Sequence, residues 1–179
     1  MWRTIHIVIL TGWSLGWSLG LATPCHALTL DLPAPVISEE TRRKAPASYA
    51  VPVGPFAGGA VPFRMVEGAV DQRAFRLDAP DRMTLAIMAP LRDQVLTAGF
   101  EILLECEARI CGGFDFRYAT EVLPEPDMHV DLADLRFLSA VRGDEAVTIL
   151  VSRSALSAYV QVTRVTPAPV GATPVAPDA

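Results

Sequence analysis

Segments rich in apolar and β-branched residues recur along the chain, and short turn sequences separate them. Residues 136–142, 146–152 and 158–165 are three such segments, with a Gly-Asp turn at 143–144 and a second turn at 154–157. Strands that are joined by short turns pair in opposite directions. These segments therefore predict an antiparallel three-stranded meander.

Apolar and polar residues also interleave in residues 64–77, although not with a strict period of two. We expect one long strand or two short strands here, with Gly68 marking a bulge or a bend. Residues 48–53 are a further short candidate strand, and the glycines and proline of residues 54–59 predict a loop after it.

A helix is predicted over about residues 83–98, because apolar residues recur there at helical spacing. The apolar stripe consists of Met83, Ile87, Leu91, Val95 and Ala98. Asp81 is the expected N-cap and Gly99 the expected C-terminal cap. Pro90 leaves two alternatives: a helix that is kinked at the proline, or a helix that begins near Ala89, where proline is tolerated.

Residues 100–107 follow as a strand whose apolar side chains are expected on one face, namely Phe100, Ile102, Leu104 and Cys106. A strand, a helix and a strand in succession indicate a right-handed crossover. The predicted fold class is α+β, with a mainly antiparallel sheet and one principal helix packed on it.

The first 27 residues predict a secretory signal peptide. Arg3 gives a positive start, residues 5–22 are almost wholly apolar, and residues 25–27 fit the usual cleavage positions. Cleavage is expected after Ala27. Two alternatives stay open: an uncleaved anchor, since residues 5–22 are near the lower length limit for crossing a bilayer, and lipidation of Cys25.

Export implies the periplasm or the periphery of the outer membrane, with no membrane span after cleavage. The predicted order is then an extended leader (28–47) with a solvated charged run at 39–44, an α+β envelope domain (48–165), and a Pro- and Ala-rich flexible tail (166–179). The formal net charge of −5 argues against nucleic acid or anionic lipid as the main partner, because both bind basic surfaces.

Cys106 and Cys111 are the two cysteines beyond the signal segment, and a Gly-Gly pair follows them. This spacing suits a disulfide that closes a turn at a strand end. In an oxidising compartment we expect the bridge to be structural, with a chain-entropy contribution of about 2 kcal/mol. A two-thiolate metal site and a redox pair are the alternatives; the first lacks neighbouring ligands, and the second usually has two intervening residues. No cofactor is predicted.

His129 is the only histidine beyond the signal segment, and it lies between Asp127 and Asp131. On an extended strand these three side chains point to the same side, where they could bind a divalent metal or hold a general base. A polar loop or edge strand explains the same spacing without any chemistry. The sequence favours that simpler explanation, because a row of three lacks a convergent fourth ligand.

Other catalytic chemistry has weaker support. Ser139, Ser152 and Ser154 are candidate nucleophiles, but none lies in a Gly-x-Ser-x-Gly sequence. Glu121 and Glu125 would suit glycoside chemistry only at a suitable separation of their carboxyl groups. The sequence contains no phosphate-binding loop, dinucleotide fingerprint or metalloprotease motif.

Phe114, Phe116 and Tyr118 alternate after Gly113, at the start of an ambiguous segment (114–123) that includes a short helix among its interpretations. The three aromatic side chains form either an exposed strip for glycan or peptide binding, or part of the core. The sequence favours the core.

Three parts of the chain carry a family resemblance: YAVPVGP at 49–55, LRDQ at 91–94 with AGFEILLEC at 98–106, and CGGFDFR at 111–117. They are similar to an uncharacterised envelope domain of proteobacteria that often precedes an outer-membrane-protein-A-like (OmpA-like) peptidoglycan-binding domain. The resemblance covers about residues 48–165 and provides no catalytic residue. It does not include the peptidoglycan-binding domain, so wall binding is an implication about the relatives.

We therefore expect a non-enzymatic module of the periplasm or cell envelope that binds a protein or a peptidoglycan component. The alternative is a periplasmic hydrolase or metal-dependent enzyme that uses His129 with Asp127 and Asp131. A third hypothesis is a structural spacer, in which residues 114–118 matter only to folding.

Overall fold

The structure is a computed structural model and describes residues 28–168. The predicted signal peptide and most of the predicted tail lie outside the described residues. Between residues 28 and 168, each helix is too short or too polar to cross a bilayer.

Six antiparallel strands form one sheet in the described part of the chain. They are β1 (Val36–Pro52), β2 (Phe63–Leu77), β3 (Glu101–Glu107), β4 (Leu135–Arg142), β5 (Glu145–Arg153) and β6 (Ala158–Thr166), in the spatial order β1-β2-β6-β5-β4-β3. The helices are α1 (Thr84–Thr97), α2 (Ala108–Cys111) and α3 (Gly113–Ala119). The predicted mainly antiparallel sheet is confirmed, although two short helices accompany the expected long one.

The predicted meander is β4–β5–β6, and its strands pair antiparallel throughout. The chain first passes from β2 to the far edge strand β3 by way of α1. The meander then returns from β3 to β2 and fills the space between them. Consecutive hairpins of this kind need only local turns, which is why the sequence predicts them well.

The segment predicted as an extended leader belongs largely to the sheet. β1 begins at Val36, so the second half of the expected leader and the short strand expected at 48–53 are one edge strand paired with β2. The charged run at 39–44 is solvated as predicted, because these side chains line an exposed sheet edge. Charges at such an edge also oppose pairing with a second chain.

Gly68, expected to mark a bulge or a bend, lies opposite the bulge rather than in it. The pairing of β1 with β2 shifts between Lys44 and Ala47, so the bulge lies in β1, next to the Ala47–Gly68 pair. A β-carbon at Gly68 would lie 2.1 Å from the backbone oxygen of Thr166 in β6. Only glycine allows the two backbones to approach this closely.

Beyond the bulge, the β1–β2 hairpin bends over one face of the sheet. The Tyr49 hydroxyl lies 3.1 Å from the Thr148 hydroxyl of β5, two strands beyond β2. The Ser139 hydroxyl of β4 donates a hydrogen bond to the Pro52 carbonyl oxygen. These contacts join β1 to strands with which it shares no ladder, so the end of the hairpin covers that face.

The meander strands of the sheet are consequently buried on both faces. On the first face, α1 packs its fully buried side chains against the meander; they are Ile87, Met88, Leu91 and Val95. On the second face lie the hairpin end, α2, α3 and the connection to β4. Strand β5, between these layers, has eight of its nine residues buried, which explains why apolar residues occupy both faces of its centre.

The apolar residues of the strand predicted at 100–107 do not share one face. Phe100 and Ile102 belong to the cluster beneath α1, whereas Leu104 and Cys106 belong to the cluster beneath α2 and α3. The pairing of β3 with β4 shifts between Ile102 and Leu104. Because side chains alternate with a period of two, one extra residue exchanges the faces of all that follow.

Helix α1 begins at a different residue from the one predicted, and it continues through Pro90. Its N-cap is Met83 rather than Asp81, and in the part of the chain described here no side chain caps that end. The Thr84 hydroxyl instead donates a hydrogen bond of 2.7 Å to Asp134, in the loop before β4. Pro90 lies inside a single helix, so the alternative of a helix starting near Ala89 is wrong.

The C-terminal end of α1 agrees with the prediction and has a further partner. Gly99 adopts a left-handed φ of 82° directly after the helix. The Arg142 guanidinium donates a hydrogen bond of 2.7 Å to the Ala98 carbonyl oxygen. It also lies over the Phe100 ring and pairs with Glu145, so one side chain from β4 fixes this end of the helix.

Asp134 provides a pH-dependent link between α1 and the sheet. Burial alone raises its pKa, but the hydrogen bonds from Thr84 and Arg153 outweigh burial, and the pKa lies below its ordinary value. A carboxyl group with a lowered folded pKa stabilises the fold above its unfolded pKa. That stabilisation is lost as the pH falls through the folded pKa, below about pH 4.

We expect Asp134→Asn to lower the free energy of unfolding at neutral pH by about 2 kcal/mol, because two hydrogen bonds to a charged acceptor are weakened. The loss should shrink as the pH falls below about 4 towards the lowered folded pKa, through which the wild-type carboxyl takes up a proton. Urea denaturation at several pH values measures both effects. Asp93→Asn, at a carboxylate that is 70% exposed on α1, is the control and should change little. An equal loss of stability at all pH values would contradict the assignment.

Candidate functional site

The disulfide turn joins β3 to α2. Cys106, near the end of β3, and Cys111, the last residue of α2, form the predicted bridge, with 5.2 Å between their Cα atoms. Both cysteines are buried in the cluster beneath α3. The bridge therefore serves as a structural crosslink at a strand end.

The loop between β1 and β2 packs directly on this turn. The Phe56 N–H donates a hydrogen bond of 2.7 Å to the Cys111 carbonyl oxygen. Gly112 has a φ of 117°, and a β-carbon there would lie 2.5 Å from the Phe56 β-carbon. Gly112 is thus restricted twice, by its backbone conformation and by the neighbouring loop.

Helix α3 divides the three aromatic residues between core and surface. Phe116 is 1% exposed and makes an edge-to-face contact with Phe137 of β4, with 5.0 Å between ring centroids. Phe114 and Tyr118 are 58% and 69% exposed, and their ring centroids are 4.4 Å apart. In a helix, positions i and i+4 share a side, so the favoured core placement is correct for Phe116 alone.

Arg117 lies beside this exposed pair. Its guanidinium carbon is 5.5 Å from the centroid of the Tyr118 ring. Burial lowers the Arg117 pKa, while the nearby Tyr118 and Glu125 act in the opposite direction. We call Phe114, Tyr118 and Arg117 the aromatic surface. It presents two exposed aromatic rings and a fork of N–H donors, groups suited to contact sugar rings or side chains of a protein.

The predicted His129 row does not form on a strand. Residues 127–131 lie in a turn and the loop after it, and His129 Nδ1 is 2.8 Å from a carboxylate oxygen of Glu125. His129 and Asp131 line a shallow groove together with Ser154. Among residues 28–168, no three His, Cys, Asp or Glu side chains lie close enough to hold a metal ion.

The other candidate catalytic residues have structural partners. Ser139 and Ser152 are fully buried, and each forms a hydrogen bond with the backbone of another segment. The Ser154 hydroxyl accepts backbone N–H groups of its own turn. Glu121 pairs with a lysine of β1, whereas Glu125 pairs with His129. The structure therefore gives the two glutamates separate partners.

A buried polar row was missed by the sequence analysis. Gln72, Thr163, Thr148 and Ser139 are register partners across four adjacent strands, and each is at most 3% exposed. The Tyr49 hydroxyl reaches this row, and burial raises the Tyr49 pKa although the Thr148 hydrogen bond opposes the shift. Polar residues within otherwise apolar strands were the available signal, but their alignment depends on the registers.

Comparison of the chain with known protein families, with curated proteins and with solved structures gives no match. The resemblance to the proteobacterial envelope domain therefore stays a prediction based on the sequence segments alone.

We expect Gly112→Ala to destabilise the protein more than Gly113→Ala. Both glycines have positive φ, but among the described residues nothing lies within 4 Å of a β-carbon built at Gly113. Gly113→Ala should therefore introduce only backbone strain, about 1 kcal/mol, and Gly112→Ala should add the collision with Phe56. Thermal or urea denaturation of the two variants measures the difference. Equal losses of stability in the two variants would contradict the packing of the Phe56 loop against Gly112.

Proposed function

We propose that this chain is a non-enzymatic binding module of the cell envelope, and that it contacts a protein or a peptidoglycan component through the aromatic surface. The observation that carries the proposal is the division within α3. Phe116 packs in the core and holds the helix there. Phe114 and Tyr118, two residues before and after Phe116, are each more than half exposed. Tyrosine and arginine, both present in the aromatic surface, are among the residues that most often carry binding energy in interfaces.

Rigidity supports this proposal. The helix that carries the aromatic surface follows the Cys106–Cys111 bridge, and the Phe56 loop packs against the residue between α2 and α3. A surface that is already ordered loses less conformational entropy when a partner binds. The Phe114 and Tyr118 rings, tilted by 36° with centroids 4.4 Å apart, already lie against each other.

The envelope location rests on the predicted signal segment, on the resemblance described above and on redox chemistry. A buried disulfide is typical of exported proteins, since the cytosol keeps thiols reduced. The alternative function, a hydrolase or metal-dependent enzyme with His129, Asp127 and Asp131, has less support because His129 is already paired with Glu125.

The double variant Phe114→Ala/Tyr118→Ala should lose binding and keep its stability. Isolated peptidoglycan and a detergent extract of envelope proteins serve as the two probes, in co-sedimentation and crosslinking respectively. We expect at least about a tenfold loss of the wild-type signal with one of them, because two interface aromatics each contribute about 1–2 kcal/mol. The melting temperature should change little, since both side chains are exposed.

Leu96→Ala is the matched control for this experiment. Leu96 is 48% exposed on α1, which covers the opposite face of the sheet, so its removal should leave binding unchanged. Equal retention of the partner by the double variant, or turnover of an envelope substrate by a wild-type protein that retains neither probe, would overturn the proposal.

A further inference from the structure

An open groove lies on the face of the sheet covered by α1, opposite the face that carries the aromatic surface. Residues 28–32 cross this face beside β2 and β6 and leave this groove of about 120 Å³. Its apolar lining consists of Leu28, Leu30, Leu32, Phe75 and Val162. Two guanidinium groups, from Arg73 and Arg164, complete the lining. The groove is thus apolar with a cationic side.

Arg164 is the unusual member of this lining. It is half-buried, and its guanidinium has no ion pair or hydrogen bond with any residue from 28 to 168. Asp71 is its register partner on β2, but the Asp71 carboxylate is bound by Arg73 at 3.0 Å and by Arg43 at 3.5 Å. The positive charge of Arg164 is therefore left without a direct partner beside an apolar groove.

Arg73 can contribute a second set of donors. Its Nε and Nη2 atoms both bind Asp71, and its Nη1 atom lies 3.7 Å from Glu39. A guanidinium has five N–H donors, so N–H groups of the two terminal nitrogens remain available. Arg73 is the register partner of Val162, two residues from Arg164 on β6. Diagonal neighbours of this kind are about 7–8 Å apart, within reach of one anionic group for side chains as long as arginine.

We propose that this groove binds an aliphatic carboxylate, with the carboxylate on Arg164 and Arg73 and the chain against the leucines. Planar guanidinium groups match the two oxygens of a carboxylate. The volume sets the size of the apolar part: an engineered cavity of about 150 Å³ in another protein holds benzene, so this groove suits about four to six carbon atoms. A free fatty acid and the C-terminus of a peptide with an aliphatic last residue both have this chemistry.

The test is a methyl NMR titration of the purified full chain with hexanoate. We expect saturable shifts of the Leu30, Leu32 and Val162 methyl groups and a dissociation constant of about 1 mM or below. Hexylamine has the same chain with the opposite charge, and it should produce no saturable shift. N-acetyl-leucine distinguishes the sources: tighter binding than hexanoate assigns a peptide C-terminus, and weaker binding assigns a fatty acid.

Three variants locate the site. Arg164→Gln should weaken hexanoate binding at least about tenfold, because it removes the charge that has no other partner. Arg64→Gln is the control, since it removes the same charge from an exposed position at the other end of β2. Leu30→Trp should abolish binding by filling the groove, without touching either arginine.

Equal binding of hexanoate and hexylamine would overturn the proposal, because the arginines would then have no role. Unchanged affinity in both Arg164→Gln and Leu30→Trp would also overturn it. So would the absence of any methyl shift in the wild type at about 10 mM hexanoate, well above the expected dissociation constant.

Discussion

The sheet has two apolar faces, and the structure depends on how the second face is covered. The first face has α1, a long helix with a continuous buried stripe. The second face has only the short helices α2 and α3, and the rest of that face is covered by an extension of the sheet itself. The β1–β2 hairpin bends at the bulge after Lys44, crosses the meander, and ends against the disulfide turn at the Phe56–Cys111 hydrogen bond. That contact joins the hairpin end to the disulfide turn, and through the turn to the edge strand β3 and the two short helices.

The same contact positions the aromatic surface. The disulfide fixes α2 to β3, the hairpin loop fixes Gly112, and Phe116 fixes α3 to β4. With the turn held from three sides, a helix of only two turns keeps Phe114 and Tyr118 in one arrangement. A helix this short is not stable by itself, so its order comes from these tertiary contacts. The proposed binding function therefore depends on the packing of the second face as much as on the two exposed rings.

Local patterns predicted local structure, and long-range pairing determined the rest. The meander, the disulfide and the Gly99 cap depend on neighbouring residues, and each was predicted. The leader at 28–47 was not recognised as part of β1, because the charges of an exposed edge strand resemble those of a solvated segment. The N-cap predicted at Asp81 was wrong. The first turn of α1 is held instead by the Thr84–Asp134 hydrogen bond, whose acceptor lies in a distant loop that local sequence does not reveal. The Arg164 groove depends on the registers of β2 and β6, which single-sequence patterns do not contain.

Amide hydrogen exchange at Phe56 tests the central claim most directly, since this N–H donates the hydrogen bond that joins the hairpin to the disulfide turn. We expect the oxidised protein to exchange this amide at least about a hundredfold more slowly than the amides of Gly58 and Gly59 in the same loop, and reduction of the disulfide to remove much of that protection. Exchange of the Phe56 amide as fast as its loop neighbours, in the oxidised protein, would contradict the closure of the hairpin on the turn.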